Sequence, residues 1–273
     1  MNQSIKSFFA LAKSHVNSYE FIVRDFKYFL KSLGISDAII MLEDNFDLSD
    51  EQIKKIQIFF SSYLDGLPID YILKESIFYG FKFYVDSRVL IPRSETELII
   101  DYVLDLHLTK NSQIIEIGTG SGCIALTLAM LKPEIKILAS DISNLALAVA
   151  RKNKNFYKVS NVLFVQSDWM SFAKENSLDL VISNPPYLMP CDPHLKNLIH
   201  EPLIALTSKN GSQSFIDIAR QARLALKTGG KIILEHGHSQ ADEVAEILLM
   251  NNFRNIVLNK DYQGLDRYTS ASK

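Results

Sequence analysis

The stretch "SYEFIVRDFKYFLKSLG" spaces Phe21, Ile22, Phe26, Phe29, Leu30 and Leu33 so that a helix would gather them on one face, and Gly34 is a predicted stop. "SDEQIKKIQIFFSSYLDG" repeats the pattern, with Ser49 as predicted cap and an end near Gly66. Residues 1–75 therefore read as a small helical bundle. The character then changes. Aromatic and β-branched residues around Gly80 predict a connecting β-hairpin over residues 76–90. "SETE" fits a capping box, Ser94 with Glu97, opening a helix to about Leu108.

From residue 112 onward, short apolar runs alternate with longer amphipathic ones. "SQIIEIG", "IKILASD", "VLFVQSD", "LDLVIS" and "KIILEHG" read as strands. "SGCIALTLAMLK", "NLALAVARKNKNFY", "SFIDIARQARLALKTGG" and "ADEVAEILLMNNF" read as helices, with a short helical stretch expected after "VLFVQSD". "RNIVLNKDYQGLDRYTSA" predicts two closing strands. The alternation predicts an α/β, Rossmann-like mixed sheet over residues 91–273, following the helical region and the hairpin. Such sheets bind ligands beyond the carboxyl ends of their strands. Glu116 to Gly122, Asp141, Asp168 and Asn184 all fall at predicted strand ends.

Composition adds limits rather than direction. The chain has 273 residues, 47% of them hydrophobic and 22% charged, with a formal net charge of −2. Bulk attraction to nucleic acid is not implied, and neither the first 75 residues nor the rest is strongly basic. The two cysteines, Cys123 and Cys191, form no metal or redox spacing and suit a reducing compartment. No apolar run is long enough to cross a membrane, and the amino terminus shows no convincing cleavage site, so a cytoplasmic protein is expected.

Candidate chemistry lies at the strand ends. In "EIGTGSG", Gly118, Gly120 and Gly122 permit a tight strand-to-helix turn and close backbone approach to a ligand, while Cys123 stands where a dinucleotide pattern wants its third glycine. The shorter spacing, with Glu116 before it and Thr119 and Ser121 within it, suits S-adenosylmethionine. Asp141 is placed to accept ribose hydroxyls, or to cap the following helix. Asp168 is a candidate for the adenine amino group. Trp169 is a candidate for the adenine ring, with core packing as the alternative. In "SNPPYL", Pro185 and Pro186 halt the ladder after Asn184, which leaves a stiff loop carrying an amide, proline carbonyls and Tyr187. "HGH" at 236–238 has no evident third ligand, and no metal is expected. No nucleophile triad or P-loop is present.

"EIGTGSG" followed by "SNPPYL" resembles class I S-adenosylmethionine-dependent methyltransferases that modify planar nitrogens. More closely, "LIPRSETE", "EIGTGSGCIALTLA", "SDWM", "SNPPYL", "EPLIAL", "GGKIILEHG" and "DYQGLDR" resemble, in that order, the bacterial release factor glutamine methyltransferase family. "RSETE" and "TSKNGSQSF" depart from that family's usual pattern. The resemblance implies methyl transfer to N5 of the glutamine in the GGQ motif of class 1 peptide chain release factors. It implies a helical amino-terminal domain that binds the release factor. It implies that Asn184 and the Pro185 carbonyl accept hydrogen bonds from the substrate amide, that Pro186 stiffens the loop, and that Tyr187 packs on the amide plane. Two alternatives share features of this reading: a nucleic-acid amino-methyltransferase, and a cofactor-binding scaffold without catalysis.

Overall fold

The computed structural model describes residues 4–42 and 46–273; Met1–Gln3 and 43–45, part of the helical region read from the sequence, lie outside the described residues. The chain divides into two compact units, Met1–Glu75 and Ser76–Lys273.

The first unit consists of α1 (Ile5–Ser14), α2 (Ile22–Ser32), α3 (Asp37–Leu42), α4 (Asp50–Leu64) and α5 (Ile69–Leu73). Its core is aromatic: Phe9, Phe26 and Phe59 are fully buried, and the Phe26 ring lies 5.1 Å from Phe9 and 5.0 Å from Phe60. Ser49 and Gln52 form a reciprocal capping box that starts α4. Phe21 departs from the predicted apolar face. It sits at the start of α2, 49% exposed, with the Arg24 guanidinium 4.4 Å above its ring. Asp25 is buried and accepts the Tyr63 hydroxyl at 2.7 Å, and burial together with that carboxylate raises the tyrosine's pKa.

The second unit opens with the hairpin of β1 (Ser76–Phe78) and β2 (Phe81–Phe83). Its two turn residues, Tyr79 and Gly80, both have positive φ, which matches the twist of the flanking strands. Next come α6 (Glu97–Asp105), β3 (Gln113–Ile117), α7 (Cys123–Leu131), β4 (Lys136–Asp141), α8 (Asn144–Tyr157), β5 (Val162–Gln166), β6 (Leu178–Ser183), α9 (Leu203–Leu206), α10 (Gln213–Ala225), β7 (Leu226–Glu235), α11 (Ala241–Met250), β8 (Arg254–Lys260) and β9 (Asp266–Ser272). Seven strands form one sheet in the order β5-β4-β3-β6-β7-β9-β8. The first five are parallel, and β9 runs antiparallel to both its neighbours.

Neighbouring residues of the central strands serve opposite faces. Ile114 and Ile182 pack with α6 and α7, while Ile115 and Val181 pack with α10 and α11. A parallel sheet covered on both faces needs this near-continuous apolar run. The chain leaves β3 toward β4 on one side, and β6 pairs with β3 on the other. The carboxyl ends of β3 and β6 therefore flank the point where strand order reverses.

Three local expectations are corrected. The Ser94–Glu97 capping box does not form: Glu97 instead accepts the Tyr79 N–H at 2.8 Å, and the Ser94 hydroxyl turns to Glu95. A 3₁₀ turn over Ser94–Thr96 leads into α6, which ends at Asp105. The helix expected over 214–230 stops at Ala225, because Leu226 already pairs with Leu178 of β6 and Gly229 takes φ +78. Between β5 and β6 the chain makes turns rather than a helix, with Trp169 and Asn176 in the left-handed region.

Candidate active site

The glycine turn after β3 is held by its own polar groups. The Glu116 carboxylate, 1% exposed, accepts the Thr119 hydroxyl at 2.6 Å and the Ala125 N–H at 3.0 Å. Strand, turn and first turn of α7 are thereby tied to one buried oxygen. Burial pushes the Glu116 pKa up to about 8 against these hydrogen bonds. The Thr119 N–H donates to the Ser140 carbonyl at 2.9 Å, which fixes the turn against β4.

The three glycines do different work. Side chains at Gly118 or Gly120 would meet almost nothing of the protein, apart from the Asn184 carbonyl 3.9 Å from a Cβ at Gly118, and both residues line a cavity. A Cβ on Gly122 would meet Leu126, Ala150 and Phe164 at 3.1–3.4 Å, and Gly122 is absent from the cavity wall. Gly122 thus serves the packing of α7, not the ligand surface assigned to it from the sequence.

Asp141 closes the next side. Its Oδ2 accepts the Gly120 N–H and its Oδ1 the Ser143 N–H, each at 2.9 Å. Desolvation raises its pKa, and these backbone bonds oppose the rise. The cap of α8 is Ser143. Asp141 lines the cavity with lone pairs to spare, as does the exposed Asp168. Trp169 leans on the second core cluster, the alternative considered for it, and also lines the cavity. Its backbone is anchored by the Ser140 hydroxyl, which donates to the Trp169 carbonyl at 3.0 Å.

Across the switch point, Asn184 and Pro186 reach the wall. The Asn184 Nδ2 donates to Thr96 Oγ1 at 3.2 Å, which leaves Oδ1 as the free acceptor. Pro185, between Asn184 and Pro186, is buried and does not line the cavity. Tyr187 is half-buried and off the cavity wall. Its ring packs on the second core cluster, and burial raises its pKa with the Glu235 carboxyl adding to the effect. The loop is secured further along, where Leu188 N–H donates to Leu206 O and Ser208 N–H to Leu188 O, both at 2.9 Å.

The cavity encloses about 320 Å³, within the ordinary size of small-molecule sites. Part of its wall escaped sequence reasoning: Arg88 to Thr96, and Pro202 to Asp217. Arg93 pairs with Glu201 at 2.6 Å, and the other Glu201 oxygen accepts the Ile91 N–H at 3.0 Å. The motifs "LIPRSETE" and "EPLIAL" carried this signal, but the pairing needs the fold to bring them together. "HGH" is structural at its first position. His236 is fully buried, between the Gly237 carbonyl and the Thr269 hydroxyl, and burial lowers its pKa. Among the described residues no cluster of metal-binding side chains occurs, and no helix is long and apolar enough to cross a membrane.

The donor set fits S-adenosylmethionine. The cavity joins an open glycine cradle, a strand-end carboxylate with spare acceptors and a flat indole. Together with the strand order, this defines a methyltransferase, and the methyltransferase small domain family matches residues 95–264. Among curated relatives, the release factor glutamine methyltransferase of Shewanella oneidensis is 36% identical over 81% of this chain and 79% of its own length. The Neisseria gonorrhoeae enzyme of the same description is 40% identical over 76% and 77%, and that of Escherichia coli 30% identical over 94% and 95%. The chain belongs to the release factor glutamine methyltransferase family. In fold alone it is similar to a methyltransferase from Pyrococcus furiosus, with TM-score 0.52 and 16% identity over 80% of this chain and 96% of that one.

Proposed function

We propose that this chain methylates N5 of the glutamine in the GGQ motif of class 1 peptide chain release factors, with S-adenosylmethionine as donor. The observation that carries the reading is Asn184, whose Nδ2 donates to Thr96 while Oδ1 is left to accept, on a residue that lines the same cavity as the glycine turn. The bound cofactor supplies a sulfonium methyl group open to displacement. An amide nitrogen is a poor nucleophile, because its lone pair is delocalised into the carbonyl. Asn184 Oδ1 and the Pro185 carbonyl accept the two N–H groups of the substrate amide and aim its nitrogen. As positive charge develops on that nitrogen, the same two dipoles stabilise it. Fixed orientation provides much of the remaining acceleration. The N–CH3 bond forms as the sulfonium C–S bond breaks, and the methylated nitrogen, far more acidic than the free amide, releases its surplus proton to water, so a strong general base is unnecessary.

Asp141 takes the ribose hydroxyls with its spare lone pairs, Trp169 lies on the adenine ring and Asp168 receives the adenine amino group. Glu116, Thr119 and Ser121 shape the turn that receives the amino-acid end. Pro186 stiffens the loop, and the free face of Tyr187 packs on the substrate amide. The helical unit docks the release factor. The cytoplasm, where release factors act, is its place of work, with neither a membrane nor a stable nucleic acid as partner.

The test is transfer of labelled methyl by the full chain to purified release factor, DNA and ribosomal RNA. Label on the GGQ glutamine supports the reading; label on a nucleobase, or none on the release factor, overturns it.

A further inference from the structure

Asn153 is a polar residue where the spacing of α8 calls for an apolar one. It shares the buried face of that helix with Ala146, Val149 and Ala150, and it is itself 1% exposed. A buried amide is tolerated when its hydrogen bonds are made, and three are. Its Oδ1 accepts the Tyr84 N–H at 2.7 Å. Its Nδ2 donates to the Tyr84 carbonyl at 3.0 Å and to the Ser121 carbonyl at 2.9 Å. All three partners are backbone groups, fixed as donor or acceptor, so the amide has one orientation.

Both segments held by this amide lead to the cavity. Ser121 belongs to the glycine turn, is 2% exposed and lines the wall. The peptide that follows it is pinned at both edges: Asn153 takes its carbonyl, and its N–H, on Gly122, donates to the Thr119 carbonyl at 2.8 Å. Tyr84 follows β2, and the chain beyond it supplies Arg88, Val89 and Leu90 to the wall. That stretch is stiffened by Asp86, which accepts the Tyr84 hydroxyl at 2.9 Å and the Arg88 guanidinium at 2.8 and 2.6 Å. Asn153 does not line the cavity itself.

We propose that Asn153 is a positioning residue for S-adenosylmethionine binding, whose amide braces the glycine turn against the segment from Tyr84 to Leu90. This rests on the reading that the cavity takes that cofactor. Asn153 touches no ligand and acts through two stretches of backbone. A turn ordered in advance does not have to be ordered by the ligand, and affinity gains by that saving.

Calorimetry on the full chain compares cofactor affinity in wild type, Asn153→Ala, Asn153→Asp and Asn161→Ala, at a temperature where thermal melts show each protein folded. Asn153→Asp keeps the size and the acceptor for the Tyr84 N–H, but its carboxylate has no proton for the two carbonyls. Asn161 is the structural comparison. Its Nδ2 donates to the Ala129 and Ile135 carbonyls at 3.2 and 2.9 Å, just before β5 and off the cavity wall. Both Asn153 variants should bind at least about fivefold more weakly. Asn161→Ala should melt earlier yet keep its affinity. A smaller loss in either Asn153 variant, or an equal one in Asn161→Ala, overturns the inference. Hydrogen exchange of side-chain amides in the wild type needs no variant. By reciprocity, cofactor should slow exchange at Asn153 Nδ2 by about the factor that loss of the brace costs in affinity. This comes on top of any slowing at Asn161, which registers general stabilisation by ligand. Equal slowing at both overturns the brace. A wild-type chain that binds no S-adenosylmethionine overturns the cofactor reading and the inference with it. One that binds and responds as expected, yet fails to methylate release factor, upholds the inference and sinks the functional proposal alone.

Discussion

Asp141 Oδ2 accepts the N–H of Gly120 at 2.9 Å, so the end of β4 and the glycine turn after β3 hold one another in place. The carboxylate that would grip the cofactor's ribose also sets the turn that receives its other end. Asp141→Ala should therefore weaken S-adenosylmethionine binding by about 1.5–3 kcal/mol, the worth of hydrogen bonds to a charged acceptor. Asp141→Asn should lose less, because one amide oxygen still accepts from Gly120 or from a ribose hydroxyl. Calorimetry on the three proteins checks this, and equal affinities would remove Asp141 from the site.

Asn184→Ala should act on the chemical step. Losing one preorganised dipole beside the developing charge should slow single-turnover methylation about 10²–10³-fold. Cofactor affinity should change far less. Tyr187→Ala should raise KM for release factor as well, while Tyr187→Phe stays close to wild type because packing, not the hydroxyl, is the role proposed.

Glu116 predicts a pH dependence of stability. Its pKa is raised by burial from an ordinary 4.5 to about 8, so the folded state holds a proton that the unfolded chain releases. The stability it contributes is present below about 4.5 and is lost as pH rises through about 8. His236 works the other way: burial lowers its pKa from 6.5, so its contribution is present above 6.5 and is lost as pH falls below that toward the lowered folded value. Comparing wild type with Glu116→Gln isolates the first effect. The glutamine oxygen can still accept from Thr119 and Ala125, so the variant should gain on wild type between pH 5 and 8 in cofactor-free thermal melts. Each kcal/mol should appear as roughly 2–4 °C in Tm. Parallel melting curves across that window would contradict the assignment.

Arg93 and Glu201 should be unequal partners. The Glu201 side chain is 2% exposed and that of Arg93 34%. Arg93→Ala strands a buried carboxylate, whereas Glu201→Ala frees a guanidinium that reaches water. Arg93→Ala should therefore destabilise more, toward the lower end of the roughly 3–5 kcal/mol seen for broken buried pairs. Denaturant melts of both variants decide it, and the reverse order would mean that the Glu201 bond to the Ile91 N–H dominates.

The helical unit is expected to serve the protein substrate. A chain beginning at Pro68, once shown to fold, should keep cofactor affinity, since every cofactor candidate follows residue 115. Its KM for release factor should rise by at least about tenfold, the effect of losing 1.4 kcal/mol of docking energy. An unchanged KM would leave the bundle without a docking role.

Periodicity alone determined the elements and their alternation, because burial on one helix face or on both sheet faces leaves its mark in linear spacing. The runs "QIIEI" and "LVIS" read as interior strands, and "GTGSG" and "NPP" as the breaks after them. Local signals failed where a distant partner outbid a neighbour. Glu97 left its capping box for the Tyr79 N–H, and Leu226 left its helix for Leu178. Gly122 looked like its fellow glycines until the fold set Ala150 and Phe164 against it. "LIPRSETE" and "EPLIAL" marked Arg93 and Glu201, but not their pairing, since the partners stand far apart along the chain. Which way Asn184 turns its amide was beyond any spacing rule. Its Nδ2 meets Thr96 Oγ1 only because the fold brings the end of β6 against the turn before α6.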